Sequence, residues 1–238
     1  MSENQSDYCM CIIESAGDQT TALPADQTLL SNPKAAVLKG AKWDNGSIIT
    51  CRFLGGSVAL QNRVKAVAKE WEKVANLTLD FRNAGPTNVR IAFVAGKGSW
   101  SNLGTQCRNV PEPKATMNFG WLKDDSSDSV LRKVVLHEFG HAIGLIHEHQ
   151  NPHGGIQWNK PAVIAELSGP PNSWDAATIE HNMFKFYTAN SVVATDADAL
   201  SIMMYPIPKA WTQDGFSAGL NTQLSAKDKV LVGNVYPL

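Results

Sequence analysis

Cysteines and long apolar runs are both scarce in this sequence of 238 residues. The four cysteines, Cys9, Cys11, Cys51 and Cys107, are too few and too scattered for a disulfide scaffold. No apolar run approaches the roughly 20 residues that a membrane-spanning helix needs. The sequence therefore argues against a disulfide-stapled mini-domain and against a membrane protein.

Basic residues are missing from the first 33 positions, which carry five acidic ones. A secretory signal peptide needs a basic start followed by an apolar stretch, and this segment has neither. We therefore expect a protein that is cytoplasmic or exported by a non-classical route. Over the whole chain 21 basic residues stand against 22 acidic ones, so nothing predicts a nucleic-acid partner or a polybasic membrane contact.

Residues 1–33 are polar, contain Pro24 and Pro33, and show no sustained periodicity. They are expected to form an N-terminal tail or prosegment with little regular structure. The folded body is expected to cover residues 34–238, which is long enough to bury a substantial core as one domain or as two lobes that share a cleft. We expect a monomer.

The first part of the body predicts a mixed sheet that carries a helix, an α+β arrangement. Ser57 can N-cap this helix. Its apolar stripe repeats at four-and-three spacing, at Leu60, Val64, Val67, Trp71 and Val74. Strands are predicted at Ser47–Leu54, Leu77–Phe81, around Val89, Ile91 and Phe93, and at Thr116–Phe119.

Two of the cysteines fall within this region. Cys51 alternates with Ile49 and Phe53 and is expected to be a core thiol, whereas Cys107 is expected in a loop. The sequence leaves open whether the two form a disulfide.

Residues 137–149 read HEFGHAIGLIHEH and contain four of the six histidines in the chain. On a helix, His137 and His141 project from the same face, one turn apart, and can hold one metal ion. Glu138 then lies where its carboxylate can reach a water on that metal. Gly144 can take a left-handed conformation and end the helix, so that His147 returns as a third ligand. Three imidazoles and one open position are typical of a catalytic zinc, whereas structural zinc takes four protein ligands.

The alternative interpretation is a helix that carries histidines on a polar face. The short HExxH motif gives false matches, but the extended HExxHxxGxxH form is far more specific. The remaining histidines, His149, His153 and His181, are expected to be surface or packing residues and not ligands.

The helix that carries the motif is predicted to run from about Ser129 to Ile143, with Ser126 or Asp128 as its cap. Its apolar positions would bury it as a central rigid element: Val130, Val134, Val135, Ile143 and Leu145.

The later part of the chain is weakly periodic. Asp175 is predicted to cap a helix that continues through Tyr187. Ser225 and Asp228 match a capping box and predict a terminal helix at Ala226–Tyr236.

The zinc motif together with Ser201-Ile-Met-Met-Tyr205 resembles the metzincin clan of zinc endopeptidases. Glu148, directly after the third histidine, is similar to the astacin family, whereas matrixins usually carry Ser there. The resemblance implies a twisted mixed sheet with two long helices in an upper lobe, about residues 34–144. It also implies a mostly irregular lower lobe with a C-terminal helix, about residues 145–238, and an active-site cleft between the lobes.

By the same resemblance, this is a zinc-dependent endopeptidase that acts on proteins or peptides, with Glu138 as general base and acid. Met203 would lie beneath the metal. Tyr205 would act as an extra zinc ligand at rest and would stabilise the oxyanion during catalysis. Glu148 would pair with the amino terminus that removal of a prosegment creates.

Gly98-Ser-Trp-Ser-Asn-Leu-Gly104 is similar to the astacin segment that forms the upper rim of the cleft, so Trp100, Ser101 and Leu103 are expected to bind substrate. A peptide would bind in extended form against this sheet edge. The sequence departs from the family at Met204, where astacins usually have His, and in lacking the usual disulfide cysteines and a signal peptide. It is similar to a compact microbial branch.

Residues 1–33 would then hold the enzyme latent, as a zymogen, with Cys9, Cys11 or Asp18 as the group that reaches the metal. The alternative is a tail without that role. Other readings of the whole chain are a zinc-containing binding protein without turnover, an inhibitor or toxin with a structural metal, and a matrixin-type protease.

Overall fold

The computed structural model describes residues 12–14, 36–170, 172–193 and 198–238 of the chain. Its helices are α1 (Val58–Ala68), α2 (Asp128–Ala142), α3 (Lys160–Leu167), α4 (Ala176–Ile179) and α5 (Ala226–Val235). Its strands are β1 (Ile12–Glu14), β2 (Val37–Leu38), β3 (Ile48–Phe53), β4 (Thr78–Phe81), β5 (Val89–Ala92), β6 (Ser99–Asn102), β7 (Met117–Phe119) and β8 (Val192–Val193). The fold is of the α+β class that the sequence predicts.

Six of the strands form one mixed sheet, in the order β1-β6-β7-β5-β3-β4. Strands β3, β4, β5 and β7 are mutually parallel, whereas β6 runs antiparallel to β7. Strand β1 lies at the outer edge and pairs in parallel with β6. This strand departs from our expectation of an N-terminal segment with little regular structure. Its pairing partner lies far along the chain, so no local sequence pattern predicts it.

The buried apolar residues of helix α1 belong to one core with the sheet and α2. The predicted cap is confirmed, since the Ser57 side chain accepts a hydrogen bond from Leu60 N at 3.1 Å. The prediction that this helix continues to Val74 is wrong, because it ends at Ala68 and a separate 3₁₀ turn covers Trp71–Lys73. Trp71 is 1% exposed and donates from its indole nitrogen to Leu136 O at 3.1 Å. This contact with α2 takes the chain away from the α1 axis.

Helix α2 is a central element, as predicted, and every residue from Val134 to Ala142 is buried. Its cap is Ser127, which accepts from Val130 N at 3.4 Å, and neither Ser126 nor Asp128 takes that place. Val130 is 40% exposed, so the prediction that it is buried is wrong. It lies in the first turn of the helix, which projects beyond the core.

A second apolar cluster lies in the later half of the chain and includes Trp158, Val163, Met183 and Trp211. Asp175 caps α4 as predicted, accepting from Thr178 N at 2.7 Å. The helix does not continue through Tyr187, however, because a π-helix covers Glu180–Phe184 and the chain then becomes extended.

Helix α5 begins with the predicted capping box of Ser225 and Asp228. Its buried residues Leu231, Val232 and Val235 belong to the same apolar cluster as the sheet and α2. The C-terminal helix therefore joins the core that supports the zinc motif.

Cys51 and Cys107 are both buried free thiols. Burial raises the pKa of Cys51 well above its ordinary value and that of Cys107 to about 11. Cys107 lies in a 3₁₀ helix at Gly104–Asn109 and not in an irregular loop. Among the residues described, no helix is both long enough and apolar enough to cross a bilayer.

Candidate metal centre

Helix α2 presents His137 and His141 four residues apart, and both rings are held by backbone carbonyls. His137 Nδ1 donates to Ile202 O and His141 Nδ1 donates to Leu145 O, each at 2.8 Å. A carbonyl oxygen can only accept, so these bonds place the proton on Nδ1 and leave Nε2 as the lone-pair nitrogen. Both imidazoles are thereby set in the tautomer that binds a metal through Nε2.

Gly144 takes a left-handed conformation at the end of helix α2, as predicted, with φ at +101°. Gly144 N donates to His141 O and Leu145 N donates to Gly140 O, so the helix closes with bonds back to its last turn. The turn brings His147 Nε2 to 3.1 Å from His141 Nε2. A ligand nitrogen of each of the three histidines then lies within 4.8 Å of the others.

The protein interior keeps these three imidazoles neutral. Burial lowers the pKa of His137 to about 4, and it lowers the pKa of His141 and His147 well below the ordinary value. A neutral imidazole is the form that ligates a metal.

The residues present fit a catalytic zinc ion. The three histidines are buried, and their ligand nitrogens lie close enough together to share one ion. Two of the rings have the outer hydrogen bond that orients a ligand histidine. Three protein nitrogens and an open side correspond to catalytic zinc, not to a closed structural site.

Glu138 lies beside this cluster on the wall of a pocket. The residue is 1% exposed. Other residues of the pocket wall include Trp121, Lys133, His137, Ile202, Tyr205 and Leu220. The carboxylate that the sequence assigns as general base therefore shares a pocket with a metal ligand and with Tyr205.

Tyr205 packs against the histidine cluster. Its ring centroid lies 4.2 Å from that of His147 and 6.0 Å from that of His137. Tyr205 therefore lies beside two of the three histidines.

His149 is a packing residue, one of the two roles expected for it, and is buried against Tyr205 and His147. Its ring stacks on Tyr205 at 4.7 Å, and its Nε2 donates to Asn182 O at 2.7 Å. The π-helix supplies that carbonyl. The sequence gives no signal for this contact, because the two segments are 33 residues apart.

Met203, which the resemblance places beneath the metal, is fully buried. Its sulfur packs against Gly140, which lies between the two ligand histidines of α2. Its backbone carbonyl accepts from Glu148 N at 3.0 Å. This bond connects the loop at residues 201–205, here called the methionine loop, to the segment that carries His147.

Glu148 is also fully buried, and burial raises its pKa to about 8. Its Oε1 accepts from Asp198 N at 3.0 Å and from Asn151 Nδ2 at 3.2 Å. Oε2 has no hydrogen-bond partner within the part of the chain that the structure describes.

The residues expected to bind substrate lie on and just after β6. Ser101 and Leu103 are each 1% exposed, whereas Trp100 is partly exposed. The outer side of β6 at Trp100–Asn102 is paired with Ile12–Glu14. The three candidate latency residues, Cys9, Cys11 and Asp18, lie outside the described residues.

Comparisons with known proteins agree with this geometry. A family model for astacin, described as a peptidase family, matches residues 36–236. A solved structure of myroilysin is 43% identical, with a TM-score of 0.84, and the match covers 85% of this chain and 98% of that one. A crystal structure of myroilysin is 42% identical, with a TM-score of 0.66 and coverage of 84% and 87%.

A more distant match is high choriolytic enzyme 1, a hatching enzyme zinc-protease from the medaka fish Oryzias latipes. It is 16% identical, with a TM-score of 0.55 and coverage of 86% of this chain and 98% of that one, and at this identity the likeness concerns the fold alone. No curated protein gives a significant match.

Proposed function

This chain belongs to the astacin family of zinc metallopeptidases, and from that premise we propose that it hydrolyses internal peptide bonds with Glu138 as general base. The observation that carries the proposal is the convergence of His137, His141 and His147 beside a pocket whose wall includes Glu138. The three histidines would hold the zinc ion. When bound, zinc would polarise the scissile carbonyl and lower the pKa of a water molecule to about 7.

Glu138 performs the proton transfers. It accepts a proton from the attacking water as the water oxygen bonds to the scissile carbonyl carbon. It then delivers that proton to the amide nitrogen as the carbon–nitrogen bond breaks, and the amine leaves. Its position directly after the ligand His137 keeps the carboxylate next to the reacting atoms through both steps.

Tyr205 supplies a hydrogen bond to the oxyanion that forms on the scissile carbonyl. Its ring lies against His147 and the residue lines the pocket, which supports this role. The His149 ring lies against both Tyr205 and His147, so all three rings pack together.

Substitution of the general base tests the proposal. Glu138→Gln keeps the size of the side chain but removes the base, so turnover of casein should fall by about 10²–10⁴-fold while bound zinc stays equimolar. Glu166→Gln is the matched control: this carboxylate accepts from Trp211 Nε1 at 2.6 Å, away from the pocket, and its loss should leave turnover unchanged. Retained turnover in Glu138→Gln would overturn the assignment of the base.

The same assay separates an enzyme from the alternative, a zinc-containing binding protein of this fold. If the full chain and a chain without residues 1–33 both bind zinc yet neither digests casein, the binding protein becomes the better description.

Residues 1–33 act as an inhibitory prosegment in this proposal. Support comes from β1, which pairs with β6 and so occupies the strand edge to which an extended substrate would hydrogen-bond. Deletion of residues 1–33 should therefore raise turnover, and separate Cys9→Ser, Cys11→Ser and Asp18→Asn variants would show which group contributes. Equal turnover of the full and shortened chains would identify the segment as a tail without that role.

The amino terminus produced by removal of the prosegment would pair with Glu148. Its buried Oε2, which has no partner among the described residues, is a suitable acceptor for an ammonium group. In the shortened chain, Glu148→Gln should lower turnover, and in the full chain it should have little effect.

A further inference from the structure

Asp228 is a buried carboxylate whose hydrogen bonds go beyond the capping of its own helix. It accepts from Ser225 N at 2.9 Å, which belongs to the capping box at the start of α5. It also accepts from Ser201 Oγ at 2.7 Å and from Ile202 N at 2.9 Å. The same carboxylate therefore binds the helix terminus and the methionine loop.

Ile202 continues this connection to the metal centre. Its backbone nitrogen donates to Asp228, and its carbonyl accepts from His137 Nδ1 at 2.8 Å. The loop residue that orients one ligand imidazole is thus held in place by a carboxylate from the C-terminal helix.

Helix capping alone does not account for this burial. The caps Ser57, Ser127 and Asp175 of three other helices are exposed, and Ser225, the cap of α5, is partly exposed, whereas Asp228 has no exposed surface. Burial opposes ionisation of a carboxyl group and raises the pKa of Asp228. A buried carboxylate needs hydrogen-bond donors to offset the loss of its hydration. Two of the three donors to Asp228, Ser201 Oγ and Ile202 N, come from the methionine loop.

We propose that Asp228 is a positioning residue for the zinc ligand His137, acting through the backbone of Ile202. The proposal rests on the zinc site described above. Loss of the carboxylate should free the loop at Ser201 and Ile202, so the carbonyl that fixes the His137 tautomer and ring orientation becomes less well placed.

The experiment compares Asp228→Ala with Ser225→Ala in the full chain. Ser225→Ala removes the other half of the capping box but leaves the carboxylate and its bond to Ile202 N. Zinc affinity is measured by competition with a chromophoric chelator. The visible spectrum of the Co²⁺-substituted protein reports on ligand geometry. If Asp228→Ala does not fold, Asp228→Asn, which keeps the shape and one acceptor oxygen, takes its place in the comparison.

Asp228→Ala should weaken zinc binding by about 10–100-fold, the usual range for the loss of a group that orients a ligand, and should shift the Co²⁺ spectrum. Ser225→Ala should stay within about threefold of the unsubstituted chain, the scatter expected for a change that leaves ligand orientation intact. Equal affinities and spectra for the two variants would show that Asp228 only caps its helix. Absence of zinc from the unsubstituted chain would instead contradict the proposed zinc site.

Discussion

Gly140 is a point of close approach between the zinc helix and the methionine loop. It lies on α2 between the two ligand histidines, and a Cβ added there would overlap Met203 Sδ. The same Cβ would lie 3.2 Å from Met203 Cε and 3.3 Å from Trp71 Cζ2. Met203 has no exposed surface and Trp71 is 1% exposed, so neither side chain has free space into which it can move.

The net effect of Gly140→Ala is the difference between two terms of similar size. Alanine in the middle of a helix is more favourable than glycine by about 1 kcal/mol. An extra carbon in a well-packed core costs about 1–3 kcal/mol. We therefore expect Gly140→Ala to lower the free energy of unfolding by up to about 2 kcal/mol, with the overlap exceeding the helix preference.

A double-mutant cycle isolates the overlap. Met203→Ala removes the side chain that the new Cβ would meet, at a cost of about 2–5 kcal/mol on its own. In that background Gly140→Ala should stabilise the protein by about 1 kcal/mol, because only the helix preference remains. The coupling energy should therefore equal the overlap cost of about 1–3 kcal/mol.

The measurement is equilibrium urea unfolding of all four proteins at one fixed free zinc concentration, because bound metal adds to apparent stability. If Gly140→Ala stabilises the protein to the same degree with and without Met203, the close packing of this loop under the metal helix is refuted.

Two further substitutions test groups near the site. Tyr236→Phe should lower the free energy of unfolding by about 1–3 kcal/mol, since the buried hydroxyl donates to Ile143 O at 2.6 Å and accepts from Trp43 N at 3.3 Å. Thermal unfolding would measure the loss of stability, and an unchanged Tm would contradict a role for these two bonds. Tyr205→Phe should lower kcat by about 10²–10³-fold with zinc content unchanged, as measured by steady-state cleavage of a peptide; an unchanged kcat would make Tyr205 a packing residue only.

Features that depend on a few adjacent residues could be predicted from the sequence. The i,i+4 spacing of His137 and His141 follows from helix geometry alone, and a glycine three residues later is a local signal for the turn that follows. The caps at Ser57, Asp175 and Ser225 were likewise predicted, because capping joins a side chain to a backbone N–H only three residues away.

Features that depend on contacts between distant segments could not be predicted in this way. The apolar stripe of α1 continues past Ala68, yet the helix stops there because Trp71 packs on α2. The cap of α2 shifted to Ser127 within a stretch where several neighbours have suitable side chains. The place of β1 depends on an open sheet edge almost ninety positions along the chain, and no pattern within residues 1–33 encodes that edge.

The metal centre itself combines both kinds of information. His141 is oriented by the carbonyl of Leu145, only four residues away, so its ring position is set by the same helix end that supplies it. His137 is oriented by the carbonyl of Ile202, 65 residues away, so its ring position depends on the methionine loop and on what holds that loop. A motif in the sequence can therefore identify both ligands, but the orientation of His137 follows only from the packing of the later half of the chain. Changes to that half should consequently disturb His137 before they disturb His141.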